Sequence, residues 1–185
     1  MKPFTTILIL TLASVLHAEA QVPPAPEGFA WQRLAPIKSL VLKPDGWFYK
    51  HEKKGETDGF FISREDVNQS RRFRTGLTLN CVRDVPGKTG RSPSVYAASL
   101  VEAAAADHSL TDRSSSEQGP FRGIVFRYVS APAGEEVVTI HQVLIANDKT
   151  GTLFMVLFEA PTEDWEEAWL KGEVMLKRLM LDDEV

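Results

Sequence analysis

Cysteine is nearly absent from this 185-residue chain, whose single thiol is Cys81. One cysteine cannot form an intrachain disulfide, a Cys-rich metal module or a CxxC redox pair, which excludes disulfide scaffolds, zinc ribbons and thioredoxin-like proteins. A surplus of basic residues is also lacking, because 21 Lys and Arg stand against 25 Asp and Glu. The resulting net charge of −4 argues against a general nucleic-acid-binding protein. The remaining composition, 43% hydrophobic and 25% charged, is that of an ordinary globular protein.

The apolar run at residues 7–16 is about half as long as the roughly twenty residues that span a bilayer. Lys2 precedes this run, and the small residues Ala18 and Ala20 follow it, which is the layout of an export signal. We therefore expect cleavage after Ala20 rather than a membrane anchor. No cysteine lies near this position, so a lipoprotein is excluded. The predicted product is soluble, either periplasmic or secreted, and has no transmembrane anchor after cleavage.

Three segments follow from this interpretation. Residues 1–20 are the predicted signal peptide, residues 21–29 form a Pro-rich leader, and residues 30–185 form a single domain. The chain that remains after cleavage is long enough for one domain with a proper core and too short for two.

Hydrophobic alternation and turn residues predict strands and two helices within this domain. One helix begins at Ser92 or Ser94, with Tyr96, Leu100, Ala103 and Ala104 on its apolar stripe. The closing helix begins at Thr162, which we expect to be its N-cap before a run of acidic residues. Residues 43–46 and 147–151 are predicted turns. The predicted strands are residues 37–42, 47–51, 59–63, 76–82, 121–129, 137–146 and 153–160.

The strand at residues 153–160 is apolar on both of its faces, with Leu153, Met155 and Leu157 on one face and Phe154 among those on the other. Such a strand must be covered on both faces, and helices are the available covers. Hairpin connections make neighbouring strands antiparallel. The predicted fold is therefore α+β, an antiparallel sheet of about six strands covered by helices on both faces.

The order of these elements, with three short sequences, resembles the PsbP-like superfamily, which includes PsbP, Mog and DcrB-type periplasmic proteins. The three sequences are Pro44-Asp45-Gly46-Trp47, Phe60-Phe61-Ile62-Ser63 and Thr75-Gly76-Leu77-Thr78. The resemblance covers residues 37–181 and implies an α/β/α sandwich on an antiparallel sheet. It also implies an accessory or binding role without a shared active site, so no functional residue is carried over.

The sequence offers little for catalysis. It contains no GxSxG elbow, phosphate-binding GxxxxGK[ST] loop, HExxH helix or EF-hand loop. After the signal, His51, His108 and His141 lie in different predicted elements. Cys81 alternates with apolar residues, which predicts a buried and inert thiol. We predict no catalytic residue, metal or cofactor, although a hydrolase without a recognisable motif stays open as a weaker alternative.

A basic loop is the local feature that stands out. Arg71, Arg72 and Arg74 fall within four residues, and residues 64–91 have a charge balance of +4 against −5 for residues 161–185. These three arginines are the candidate patch for an anion or an acidic partner. The alternative is that the loop charges are solvated and complement the acidic closing helix.

Two functions remain. The first is an exported, non-enzymatic binding or accessory protein that acts through contacts with another exported or envelope protein. The second is a carrier of a small apolar or anionic ligand in an internal pocket. Neither involves nucleic acid.

Overall fold

The structure is a computed structural model that describes residues 22–69 and 73–185. The predicted signal at residues 1–20 lies outside these residues. Two single-turn 3-10 helices occur at Ala35–Ile37 and Thr162–Asp164. The helices are α1 (Val85–Thr89), α2 (Pro93–Asp107) and α3 (Trp165–Lys177). The strands are β1 (Phe29–Leu34), β2 (Ser39–Pro44), β3 (Phe48–Lys54), β4 (Thr57–Ser63), β5 (Gly76–Val82), β6 (Thr111–Gln118), β7 (Phe121–Ser130), β8 (Val138–Asn147) and β9 (Thr152–Pro161).

Seven of these strands form one antiparallel sheet in the order β3-β4-β5-β9-β8-β7-β6. The first two strands pair with each other in a separate hairpin. The predicted antiparallel sheet and α+β class are confirmed. The sheet has seven strands rather than about six because β6, which carries no apolar residue, escaped the periodicity analysis.

Alternate residues of β9 enter two different hydrophobic clusters. Phe154, Val156 and Phe158 belong to a cluster that also contains Trp165 of α3, which we call the Phe158 cluster. Leu153 enters the other cluster, which we call the Leu144 cluster. That cluster contains Val85 of α1, Ala97 and Val101 of α2, and Phe126, Leu144 and Ala146 of the sheet.

Helix α3 lies close against the sheet because position 172 has no side chain. A Cβ atom at Gly172 would lie 2.8 Å from the ring of Phe158. The rings of Trp165 and Trp169 each approach the Phe158 ring edge-on, with centroids 5.9 Å apart. Trp165 thus belongs to the Phe158 cluster, and Trp169 packs against it.

Helix α2 begins as predicted, with Ser92 as its N-cap and Pro93 in its first turn. Three residues of the predicted stripe, Tyr96, Leu100 and Ala104, are partly buried and pack against the Leu144 cluster. The fully buried residues of α2 are Pro93, Ala97 and Val101, and Ala103 of the predicted stripe is exposed.

Several predicted boundaries are wrong. Ile37 ends a 3-10 turn, and the strand predicted from it begins at Ser39. The segment between the predicted strands at residues 47–51 and 59–63 is only a tight turn at Gly55. Both strands are longer than predicted and stay paired up to Lys54 and Thr57. Thr162 is not an N-cap, since its hydroxyl lies in a hydrogen bond with the Thr139 hydroxyl at 2.9 Å.

Candidate functional site

A groove of about 710 Å³ lies on the sheet face that carries the Leu144 cluster. Its floor is made by side chains from five neighbouring strands. These are Lys50 of β3, Phe61 of β4, Thr78 of β5, Glu159 of β9 and Val138 of β8. Strand register explains the grouping, because Lys50 lies opposite Phe61 and Phe61 opposite Thr78. The groove therefore runs across the strands, and all of its floor residues except Thr78 are partly exposed.

Two loops form the walls of the groove. One connects β4 to β5, and the other connects β7 to β8. Two apolar wall residues, Val67 and Phe73, come from the first loop, and Phe73 packs over Gly76, where a Cβ atom would lie 2.9 Å from its ring. The second loop contributes exposed residues, so the groove is open to solvent. The wall residues are Val67, Phe73, Arg74, Pro132, Glu135 and Glu136.

An ion pair joins the two walls. Arg74 Nε donates to Glu136 Oε2 at 2.8 Å, and Arg74 Nη2 donates to the other carboxylate oxygen. This hydrogen bonding lowers the pKa of Glu136 below its ordinary value. The carboxylate of Glu65 accepts hydrogen bonds from the backbone N–H groups of Arg74 and Thr75, each at 3.1 Å. The first loop is therefore held by its own carboxylate and tied to the second by Arg74.

Glu159 differs from the other acidic residues of the groove. It is half-buried in the floor, and it has no hydrogen-bond or ion-pair partner in the part of the chain that the structure describes. Burial raises the pKa of its carboxyl group above the ordinary value. Tyr128, two strands away in the same row, has its pKa raised by burial and then by the charge of Glu159. A desolvated carboxylate without a partner is the arrangement expected at a binding site.

The described lining of the groove is acidic overall. It has two cations, Lys50 and Arg74, and four carboxylates, Glu52, Glu135, Glu136 and Glu159, which gives a net charge of −2. Lys50 Nζ lies 2.6 Å from Glu52 Oε1, so both cations are already paired.

No protein-family profile matches the chain, and no curated protein sequence matches it. Solved structures do. The Ran-binding protein Mog1p of Saccharomyces cerevisiae is similar with a TM-score of 0.51 and 11% identity, over 83% of this chain and 95% of Mog1p. The cyanobacterial PsbP protein, CyanoP, of Synechocystis is similar with a TM-score of 0.51 and 9% identity, over 92% of this chain and 99% of CyanoP. The chain has the PsbP-like fold.

A protein from Bacteroides thetaiotaomicron is also similar, with a TM-score of 0.46 and 14% identity over 79% of this chain. The PsbP-like chain spans less than half of that longer protein, 46% of its length. The family resemblance noted in the sequence is confirmed at the level of the fold, with strongly diverged sequences.

The predicted arginine patch is only partly described in this PsbP-like chain. Arg74 lines the groove and is bound to Glu136, while Arg71 and Arg72 lie outside the described residues. A neighbouring loop arginine, Arg64, reaches Asp164 before α3 at 3.5 Å. One loop cation thus contacts the acidic segment that was predicted to complement it.

Cys81 is buried, as its alternation with apolar residues predicts. Burial raises the pKa of its thiol to about 11. Its cross-strand neighbour is Asp58, whose Oδ1 lies 2.9 Å from His51 Nε2 and whose Oδ2 accepts from Arg83 Nη1 at 2.6 Å. Burial acts to raise the pKa of Asp58, but the hydrogen bonds from Arg83 and His51 outweigh it and lower the pKa. This group is a satisfied ionic cluster at the edge of the Phe158 cluster.

The three histidines that follow the predicted signal lie in three different places. His51 belongs to the Asp58 group, and His108 stacks on Tyr128 with ring centroids 4.6 Å apart. His141 packs against Trp169 at 4.4 Å, and burial together with the charge of Arg127 lowers its pKa to about 4. Within residues 22–69 and 73–185, no group of three or more His, Cys, Asp or Glu side chains is placed to hold a metal ion. No helix in the same ranges is long and apolar enough to cross a bilayer.

The signal that could have revealed the groove is Glu159 itself. It is the one charged residue in β9, a strand otherwise made of apolar residues and Thr152. Burying a carboxylate in such a strand is energetically costly, and a binding surface at this position explains its presence.

Proposed function

We propose that the chain is an exported, non-enzymatic accessory protein that holds another exported or envelope protein in the groove. The open groove, with a sheet floor, two loop walls and a half-buried carboxylate that no described residue pairs, is the observation that carries this proposal. Mog1p, which shares the fold, is by its name a Ran-binding protein, and this supports a protein-binding role for the fold.

The arrangement of the helices supports the same proposal. We infer a sandwich in which α3 covers one face of the sheet and α1 and α2 cover part of the other. The groove is then the part of the second face that has no helix over it. An uncovered sheet face between two loops is a suitable docking surface.

Export remains part of the proposal. If residues 1–20 are a cleaved signal, residues 30–185 form the whole mature domain after a short leader. N-terminal sequencing of the protein from the producing cell is expected to begin at Gln21. A full-length chain that stays in the membrane fraction would refute the export proposal.

Photo-crosslinking in the intact envelope tests the binding role. A photoreactive residue at exposed position 135, on the groove wall, is expected to capture one dominant protein partner. The matched control is the same residue at position 170, because Leu170 is 68% exposed on α3 and outside the groove. Equal capture from both positions, or none from position 135, would contradict the proposal.

The arginine patch stays a separate proposal for an anionic partner. Because Arg74 is already paired with Glu136, we propose that Arg71 and Arg72 supply the anion-binding charge. Replacing both by Gln is expected to lower the affinity for an acidic partner and to reduce the salt dependence of that binding. Thermal stability should change little. Replacing Arg74 alone should instead remove the ion pair with Glu136 that joins the two walls of the groove.

A second groove favours the carrier alternative. It has a volume of about 600 Å³ and lies between the end of α3 and the sheet, beside Val125, Val143, Ile145 and Leu179. Its apolar lining suits a small apolar ligand better than an anion. Native mass spectrometry of protein purified from the producing cell would show a bound small molecule if this alternative holds.

A further inference from the structure

The first groove, with Glu159 in its floor, has the chemistry of a cation site that no side chain of residues 22–69 and 73–185 fills. The two cations in its described lining are paired with Glu52 and Glu136. Glu159 and Glu135 have no ion-pair partner in the described ranges. Among the described lining residues, two carboxylates therefore remain unpaired, one in the floor and one on the wall.

The apolar part of the lining adds a second requirement. Phe61, Val67, Phe73 and Val138 surround the charged groups. The long aliphatic stems of Lys and Arg side chains pack on such surfaces while the charged end reaches a carboxylate. A simple inorganic cation would leave these apolar groups without a partner.

The length of the groove points to a chain segment rather than a single side chain. Its floor runs from Lys50 on β3 to Val138 on β8, across four strand spacings. At about 4.8 Å per spacing this is about 19 Å, the length of about six residues of extended peptide.

We propose that the groove binds an extended basic segment of the partner protein, with one Lys or Arg side chain paired to the carboxylate of Glu159. This inference rests on the proposed function and specifies the chemistry of its partner. Burial of Glu159 without a partner disfavours its ionised form, and a bound cation would remove that penalty. The same pairing accounts for a charged residue in the otherwise mostly apolar strand β9.

The test uses fluorescein-labelled hexalysine and hexa-arginine, with hexaglutamate as the charge-reversed probe. Glu159→Gln keeps the size of the side chain and is expected to weaken binding of both basic peptides about tenfold. The matched control is Glu167→Gln, an exposed position on α3 that removes the same charge, with an expected change within about twofold. Circular dichroism checks that both variants fold, and Glu159→Asp should restore part of the affinity.

Three outcomes would overturn the inference. They are equal weakening by Glu159→Gln and Glu167→Gln, binding of hexaglutamate as tight as that of hexalysine by a protein in which Arg71 and Arg72 are replaced by Gln, and binding of spermidine without binding of either basic peptide. The crosslinking experiment separates this failure from that of the proposed function. If position 135 captures a protein and Glu159→Gln does not reduce this capture, only the proposal of a basic segment is refuted. If the basic peptides bind in a way that depends on Glu159 but position 135 captures no protein, only the proposed accessory role is refuted.

Discussion

The two faces of the seven-stranded sheet differ in how far they are covered. In the proposed sandwich, α3 and the β1–β2 hairpin close over the Phe158 cluster on one face, and this cluster has sixteen buried residues. On the other, α2 packs mainly on β7, β8 and β9, and the Leu144 cluster has seven. The groove occupies what α2 leaves open. The comparison indicates that one face supplies most of the stability, while the other keeps apolar and charged surface available for binding.

Asp58 and Glu159, two carboxylates of the sheet, repeat this contrast. Asp58, on the face of the Phe158 cluster, is 2% exposed and held by His51 and Arg83. Glu159, on the groove face, is half-buried and has no such partner in the described residues. The first arrangement stabilises the fold, and the second leaves a charge to be neutralised from outside.

The largest expected effect compares one phenylalanine from each face. Phe158→Ala removes a fully buried ring that contacts three tryptophan rings, and we expect a loss of about 3–5 kcal/mol in the free energy of unfolding. Phe61→Ala, in the groove floor, should lose about 1 kcal/mol because the ring is already part-exposed. Urea unfolding measures both. Equal losses would break the comparison between the faces.

Asp58→Asn is expected to lower the free energy of unfolding by about 2 kcal/mol at pH 7, because it removes the buried carboxylate that accepts a hydrogen bond from Arg83 and is hydrogen-bonded to His51. The pKa of Asp58 is lowered in the folded state. Its stabilising contribution is therefore complete above the ordinary pKa of 3.8 and is lost as the pH falls through the lower folded value. The difference between the two proteins should shrink in acid. Asp107→Asn, at an exposed position, serves as control, and a similar loss there would contradict the prediction.

Gly172→Ala tests how closely α3 approaches the sheet. Alanine favours a helix by about 1 kcal/mol over glycine, but the new Cβ atom would meet the Phe158 ring. We expect the steric effect to dominate, with a net loss of about 1–3 kcal/mol. Ala103→Gly, at an exposed position of α2, measures the propensity effect alone. A more stable Gly172→Ala protein would mean that α3 can move away from the sheet at little cost.

The smallest expected effect has the opposite sign. Burial raises the folded pKa of Glu159, so its ionised form costs stability above that pKa. Glu159→Gln should therefore raise the free energy of unfolding at pH 7 by up to about 1 kcal/mol. Below the ordinary pKa of 4.5 the carboxyl is neutral in both states, and the gain should disappear. Tyr128 titrates far above this range and does not interfere. A loss of stability at pH 7 would show that Glu159 has a structural role.

Much of the sheet could be predicted because its strands carry their own signals. The strand β5 has the predicted bounds, and β7, β8 and β9 differ from the predicted strands by about one residue. Edge strand β6 could not be found in this way. All eight of its residues are exposed and polar, and it is held by backbone pairing with β7, which a local pattern does not reveal.

The groove was beyond prediction for a different reason. Lys50, Phe61, Thr78 and Glu159 are far apart in sequence, and only the strand register brings them to one face. Arg74 was selected for its charge, but its partner Glu136 lies 62 residues away. Contacts between residues far apart in the sequence therefore decide which charged side chains are unpaired. Local sequence patterns do not predict these contacts.

The burial of Cys81 has a practical consequence for labelling experiments. Its side chain is inaccessible, and a thiol whose pKa is about 11 is scarcely ionised at neutral pH. A cysteine introduced at position 135 or 170 would react with a maleimide dye while the native thiol stays silent. The wild-type sequence is thus a ready background for single-site fluorescence, and distances from the groove wall to a bound peptide can be measured without first removing a native residue.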